Sequence, residues 1–189
     1  MTRIFYDTEF HENGTTIDLI SIGMVREDGR ELYAVSSEFN QAAVLQHPWL
    51  RKHVWPTLPI RTTEGTRGVE ALDLDHPAVR SRAQIARLVA QFILDTPDPQ
   101  LWAWFGAYDH VAYAQLFGPM IDLPAGCPMH TCDLVQEAQR LGLSMEDLPP
   151  QPDGVHNALA DARHNLVRAQ FLDQVGHRMT LDTTGGITT

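Results

Sequence analysis

The chain has 189 residues, 43% hydrophobic and 20% charged, with a formal net charge of −10. That length provides one domain with a sizeable core, and the composition excludes disordered and fibrous classes. No apolar run approaches the roughly 18 residues a membrane-spanning helix needs.

Residues 3–10 and 16–26 are rich in β-branched and aromatic side chains and flank a Gly-containing turn, and Asp28-Gly29 leads into 30–36. This predicts a three-stranded antiparallel meander. Pro48, Pro56 and Pro59 punctuate the next stretch, where a short helix is expected at 48–54. Residues 57–77 lack periodicity and read as a long loop. Ser81 and Gln84 form a capping box ahead of Ile85, Leu88, Val89, Phe92 and Ile93, a helix that Pro97 ends. Residues 101–105 predict a buried strand, and Gly106 turns the chain into a helix over 107–117. A further helix is expected over 132–141, closed by Gly142, and a last one over 157–175. The remaining residues, 176–189, read as a loose polar tail. Together the elements predict a single α/β domain over 1–175, built on a mixed α+β sheet.

Charge is unevenly spread. From His47 to Arg87 seven basic residues stand against four acidic ones, so that segment carries +3 and the remainder −13. A short basic belt on an acidic body suits a short length of phosphate backbone, or else merely solvates helix faces. Cys127 and Cys132 form neither a C-x-x-C pair nor a disulfide scaffold. Met1 leads into a strand-like segment with no basic and apolar leader, so a cytoplasmic setting is expected.

Three fragments bear on chemistry: Asp7-Thr8-Glu9, Asp109, and His156 with Asp161. Each is weak alone, because a helix N-terminal charge, a surface acid or a capping histidine explains it. Their contexts agree better than chance. Strand alternation puts Asp7 and Glu9 on one face and Ile4, Tyr6, Thr8 and Phe10 on the other. Two adjacent carboxylates repel unless a cation accommodates them. Asp109 falls in the first turn of a helix after a strand, where open sheets place ligands. His156 precedes the last helix on a segment containing Pro149, Pro150, Pro152 and Gly154, expected to be mobile, and Asp161 lies one turn inside that helix. A rival pair, His177 and Asp182, sits in the tail. Four carboxylates suit hard cations, Mg²⁺ or Mn²⁺, and a pair of such ions suits phosphodiester hydrolysis, with a histidine as base.

The set Asp7, Glu9, Asp109, His156, Asp161 resembles the DEDDh 3′–5′ exonucleases, named for four acidic residues and a histidine. Within them it is most similar to the actinobacterial polyadenylate-specific 3′-exoribonucleases (RNase AS), through YDTEF at 6–10, IDLISIG at 17–23, LWAWFGAYDHVA at 101–112, QLFGPM at 115–120 and HNALADA at 156–162. The resemblance implies an RNase H-like fold with a central mixed five-stranded sheet flanked by helices. It implies that Asp7, Glu9, Asp109 and Asp161 hold two Mg²⁺ ions, with Mn²⁺ able to substitute, and that His156 is the general base. It further implies a homodimer acting on the 3′ end of single-stranded RNA. Phe10 and His11, beside the carboxylate pair, are candidates to contact the terminal base, whereas Trp102 and Trp104 are expected in the core. A DNA exonuclease, a general oligoribonuclease, a small-phosphate phosphatase and a non-catalytic RNA-binding module remain as alternatives.

Overall fold

Strands β1 (Thr2–Glu12), β2 (Ile17–Arg26) and β3 (Glu31–Ser36) form the expected meander in the computed structural model, which describes residues 1–62 and 70–184. The first turn closes on local chemistry. Asn13 Oδ1 accepts the amides of Thr15 and Thr16 at 3.0 and 2.9 Å, while Gly14 supplies φ +81°.

Two short helices follow, α1 (Gln41–Gln46) and α2 (Pro48–His53), then a 3₁₀ turn at Trp55–Thr57. The segment 57–77, expected as a loop, carries a separate two-stranded ribbon of β4 (Ile60–Thr62) and β5 (Glu70–Leu72). Three-residue strands are too short for alternation to register in a sequence. Residues 63–69, including Arg67 of the basic segment, lie outside the described residues. Next come β6 (Val79–Arg80) and α3 (Arg82–Leu94), whose Ser81–Gln84 capping box is formed as expected.

β7 (Pro99–Ala103) stops short of 105, because Phe105 adopts φ +55° and turns the chain into α4 (Ala107–Ala114). β8 (Thr131–Asp133) occupies the start of the helix expected from 132. It pairs with β7, and Asp133 Oδ1 accepts the Val135 and Gln136 amides to begin α5 (Leu134–Arg140). α6 (Ala158–Thr184) continues past 175 rather than giving way to a loose tail. Gly176 ends nothing there because its φ is not positive, and the Thr180 hydroxyl donates back to its carbonyl at 2.6 Å. Residues 185–189 of the expected tail lie outside the described residues.

The main sheet therefore has six strands, not five, in the order β6-β3-β2-β1-β7-β8. β7 runs parallel to β1, β8 to β7 and β6 to β3, so the sheet is mixed. Two of the six have no sequence signature: the two-residue β6 and the three-residue β8, whose last two residues fall in the expected helix. Alternation along β1 divides the core. Ile4 and Tyr6 join the cluster under α3 and α4, while Phe5 joins the one under α5 and α6. Each fully buried side chain of this kind contributes about 1.5–3 kcal/mol. Asp7, two residues from Phe5, shares the α6 face. At Gly23 the backbone of β2 touches α6 directly, and a methyl group there would overlap the Ala158 carbonyl. Among the described residues no helix is long and apolar enough to cross a membrane.

Candidate active site

Three elements deliver acids to one cleft of about 490 Å³: β1 brings Asp7 and Glu9, α4 brings Asp109, and α6 brings Asp161. His156, at φ +68° just before α6, lines the same cleft. The five residues expected to act together are thus brought together. Of the rival pair, His177 is exposed roughly 28 Å along α6 from its first residue, and the side chain of Asp182 lies outside the described residues.

Each group is held by its neighbours. Asp109 Oδ1 accepts both the Thr8 amide at 2.8 Å and the Thr8 hydroxyl at 2.6 Å. Asp161 Oδ2 accepts the His156 amide at 2.9 Å, and its Oδ1 accepts Gln151 Nε2. The segment before His156, expected to be mobile, is tied by that glutamine and by the Pro149 carbonyl, which lies 2.9 Å from His164 Nε2. The ligand atoms of Glu9, His156 and Asp161 all lie within 4.8 Å of one another.

Aromatic placement differs from expectation at two points. A register shift between Glu9 and Phe10 interrupts the alternation, so Phe10 lines the cleft with the carboxylates instead of facing away. Its ring stacks on Tyr108 at 5.9 Å and 13°. His11 lies outside the lining and meets His47 edge-on. Trp104 packs with Trp102 against the cluster under α5 and α6, as expected, and its ring also forms a wall of the cleft, with the Arg168 guanidinium 4.2 Å from its centroid. Trp49, Phe105, Tyr108 and Arg168 also line the cleft, and spacing in the sequence carried no signal for them.

Burial dominates the electrostatics. It raises Asp7 well above the usual carboxylate range, reinforced by Asp109, Glu9 and Asp161. Burial, then Asp161 and Asp109, pushes Glu9 up to about 8. Burial raises Asp109 to about 6 against the opposing pull of the Thr8 hydrogen bonds. Asp161 is also raised by burial, while burial lowers His156. Arg168 is the one Lys or Arg among the described lining residues. Four carboxylates, Glu9 and Asp109 buried and Asp7 and Asp161 half-buried, with a single countercharge fit divalent hard cations, and the protein side of that fit is testable without substrate.

A carboxyl whose folded pKa exceeds its unfolded value favours folding while protonated. For Glu9 that contribution is complete below 4.5 and is lost as pH rises to about 8. In chelator, the melting temperature is therefore expected to fall between pH 5 and 8, and Mn²⁺ or Mg²⁺ to restore it. Thermal melts across that range check this, and a flat or rising profile in chelator contradicts it.

The model of a family described as the 3′-5′ exoribonuclease Rv2179c-like domain matches residues 2–172 of this chain. Two relatives from Mycobacterium tuberculosis are similar to it, 3′-5′ exoribonuclease MT2234.1 (strain CDC 1551 / Oshkosh) and 3′-5′ exoribonuclease Rv2179c (strain ATCC 25618 / H37Rv). Each is 45% identical over 172 residues, covering 90% of this chain and 92% of the relative.

Proposed function

The chain belongs to the 3′-5′ exoribonuclease Rv2179c-like domain family, and from that premise we propose that it is a DEDDh-type enzyme with an RNase H-like fold. It hydrolyses single-stranded, adenine-rich RNA from the 3′ end and releases 5′-nucleoside monophosphates. The observation that carries this reading is the convergence of Asp7, Glu9, Asp109 and Asp161 with His156 in one cleft. A parallel β1–β7 pair beside an antiparallel β1–β2–β3 meander supports the fold assignment.

Asp7, Glu9, Asp109 and Asp161 would hold two Mg²⁺ ions, with Mn²⁺ able to substitute; bound there, the ions supply charge stabilisation for the attacking and leaving oxygens of a phosphodiester. His156, kept neutral near pH 7 by its burial, accepts a proton from the attacking water. Thr8 fixes Asp109, and Gln151 with the His156 amide fixes Asp161, so the carboxylates are oriented before substrate arrives. The stacked Phe10–Tyr108 pair offers a face for the terminal base. The enzyme acts as a homodimer in this reading, which sedimentation tests.

On 5′-labelled adenine-rich RNA, a ladder of fragments shortening one nucleotide at a time is expected, and chelator should abolish it. Parallel reactions on mixed-sequence RNA and on DNA fix the preference. Cuts in a circular RNA would show an endonuclease and sink the proposal.

A further inference from the structure

The residue expected to act as base sits in costly backbone. His156 has φ +68°, a region that side chains with a Cβ rarely adopt. Such a conformation persists only where surrounding contacts over-determine it. Those contacts come from two sources. One is local: the His156 amide donates to Asp161, and the Asn157 amide donates to the Gly154 carbonyl at 3.0 Å. The other comes from about a hundred residues away in the chain, at the end of α2 and the 3₁₀ turn after it.

Thr57 provides the link. Its hydroxyl donates to the His156 carbonyl at 2.9 Å and is shared with the Val54 carbonyl at 2.9 Å. In return, Asn157 Nδ2 donates to the Thr57 carbonyl at 3.3 Å. Asn157 Oδ1 meanwhile accepts the Ala160 amide at 3.1 Å, capping α6. One asparagine thus joins the 3₁₀ turn to the first turn of the helix that carries Asp161. The imidazole is braced from the same segment. The Trp49 ring meets it edge-on at 4.6 Å, and His53 stands 5.6 Å away. Trp49 remains 45% exposed, so core packing alone does not account for its place.

We infer that the segment 48–57 is a clamp for the base, with Thr57 the positioning residue that fixes the His156 turn through its carbonyl and Trp49 the brace on its ring. The inference rests on the exonuclease reading for its catalytic consequence. Its structural content can be tested without any reaction. Thr57 touches no reacting atom; it acts by keeping the imidazole in one place, and misplacement of about 1 Å costs up to ~10²-fold in rate.

The test compares Thr57→Val, which keeps the β-branched shape and removes the donor, with Thr57→Ser, which keeps the donor. Thr57→Val is expected to lower kcat by about 10-fold with KM and Mn²⁺ affinity unchanged, and Thr57→Ser to restore most of it. Histidine-selective ¹⁵N NMR on the same proteins, without substrate, should show the His156 ring signals shifted or broadened in Thr57→Val and native-like in Thr57→Ser. Trp49→Leu, at a position already 45% exposed, should also displace those signals. Equal losses in the Val and Ser variants would overturn the clamp, as would unmoved His156 signals in Thr57→Val and Trp49→Leu. Absence of exonuclease activity in the unmodified protein would instead fail the catalytic reading and leave the NMR comparison to decide the clamp.

Discussion

Asp109→Asn is expected to remove nearly all turnover while making the metal-free protein more stable. The two effects share one cause. Asp109 is 6% exposed, and burial has already raised its pKa to about 6. At pH 7.5 the folded, metal-free protein holds it ionised at a cost of about 2–3 kcal/mol relative to the unfolded chain. Asparagine removes that charge yet keeps an oxygen where the Thr8 amide and hydroxyl donate. Melting in chelator should therefore rise by about 5–10 °C. Activity moves the other way, because a ligand charge is lost where several kcal/mol of transition-state stabilisation originate, and a fall of at least ~10³-fold follows. Melts in chelator and single-turnover assays in Mg²⁺ check both halves. Wild-type turnover in this variant would remove Asp109 from the site.

His156→Ala is the second large effect. Loss of a positioned base should lower kcat by about 10²–10⁴. In the unmodified enzyme the acidic limb of the pH–rate profile should lie below the ordinary histidine value of 6.5, since burial, with His53 adding to it, outweighs the opposite pull of Asp161. That limb should flatten in the variant. The proximity of His156 to Glu9 and Asp161, within 4.8 Å, makes Mn²⁺ calorimetry the decisive companion. Retained Mn²⁺ affinity fits a base, and abolished affinity would make His156 a ligand.

Much of this site is legible in the sequence, because two of its acids alternate within one strand while Asp109, His156 and Asp161 sit at or near helix starts that local chemistry defines. Asp7 and Glu9 alternate on a clear strand, Asp109 follows Gly106, and Asp161 lies one turn into a helix. The illegible parts depend on pairing and distance. Phe10 reads as facing the core with Tyr6, and only the register shift against β2 turns it to the cleft. Trp104 packs with Trp102 as its spacing suggests, but that its ring also walls the cleft depends on Arg168, 64 residues later on α6. Thr57 and Trp49 lie in a proline-punctuated stretch with no periodicity, and their meaning comes from a turn about a hundred residues later. The sheet has six strands rather than the expected five, and local sequence showed neither β6 nor β8, strands of two and three residues visible only once β3 and β7 are there to pair with them.

Gly23 gives the site a mechanical property. Across the β1–β2 ladder it is the partner of Asp7, and its bare Cα face rests against the backbone of Ala158, three residues before Asp161. Two carboxylates from distant parts of the chain are thereby spaced through main chain touching main chain. Side chains yield under load by changing rotamer, whereas backbone held in a ladder and a helix has no such freedom. The contact is a hard stop, a fixed gauge between strand and helix. Warming or loosening of the surrounding loops changes the entrance to the cleft before it changes the separation of Asp7 from Asp161.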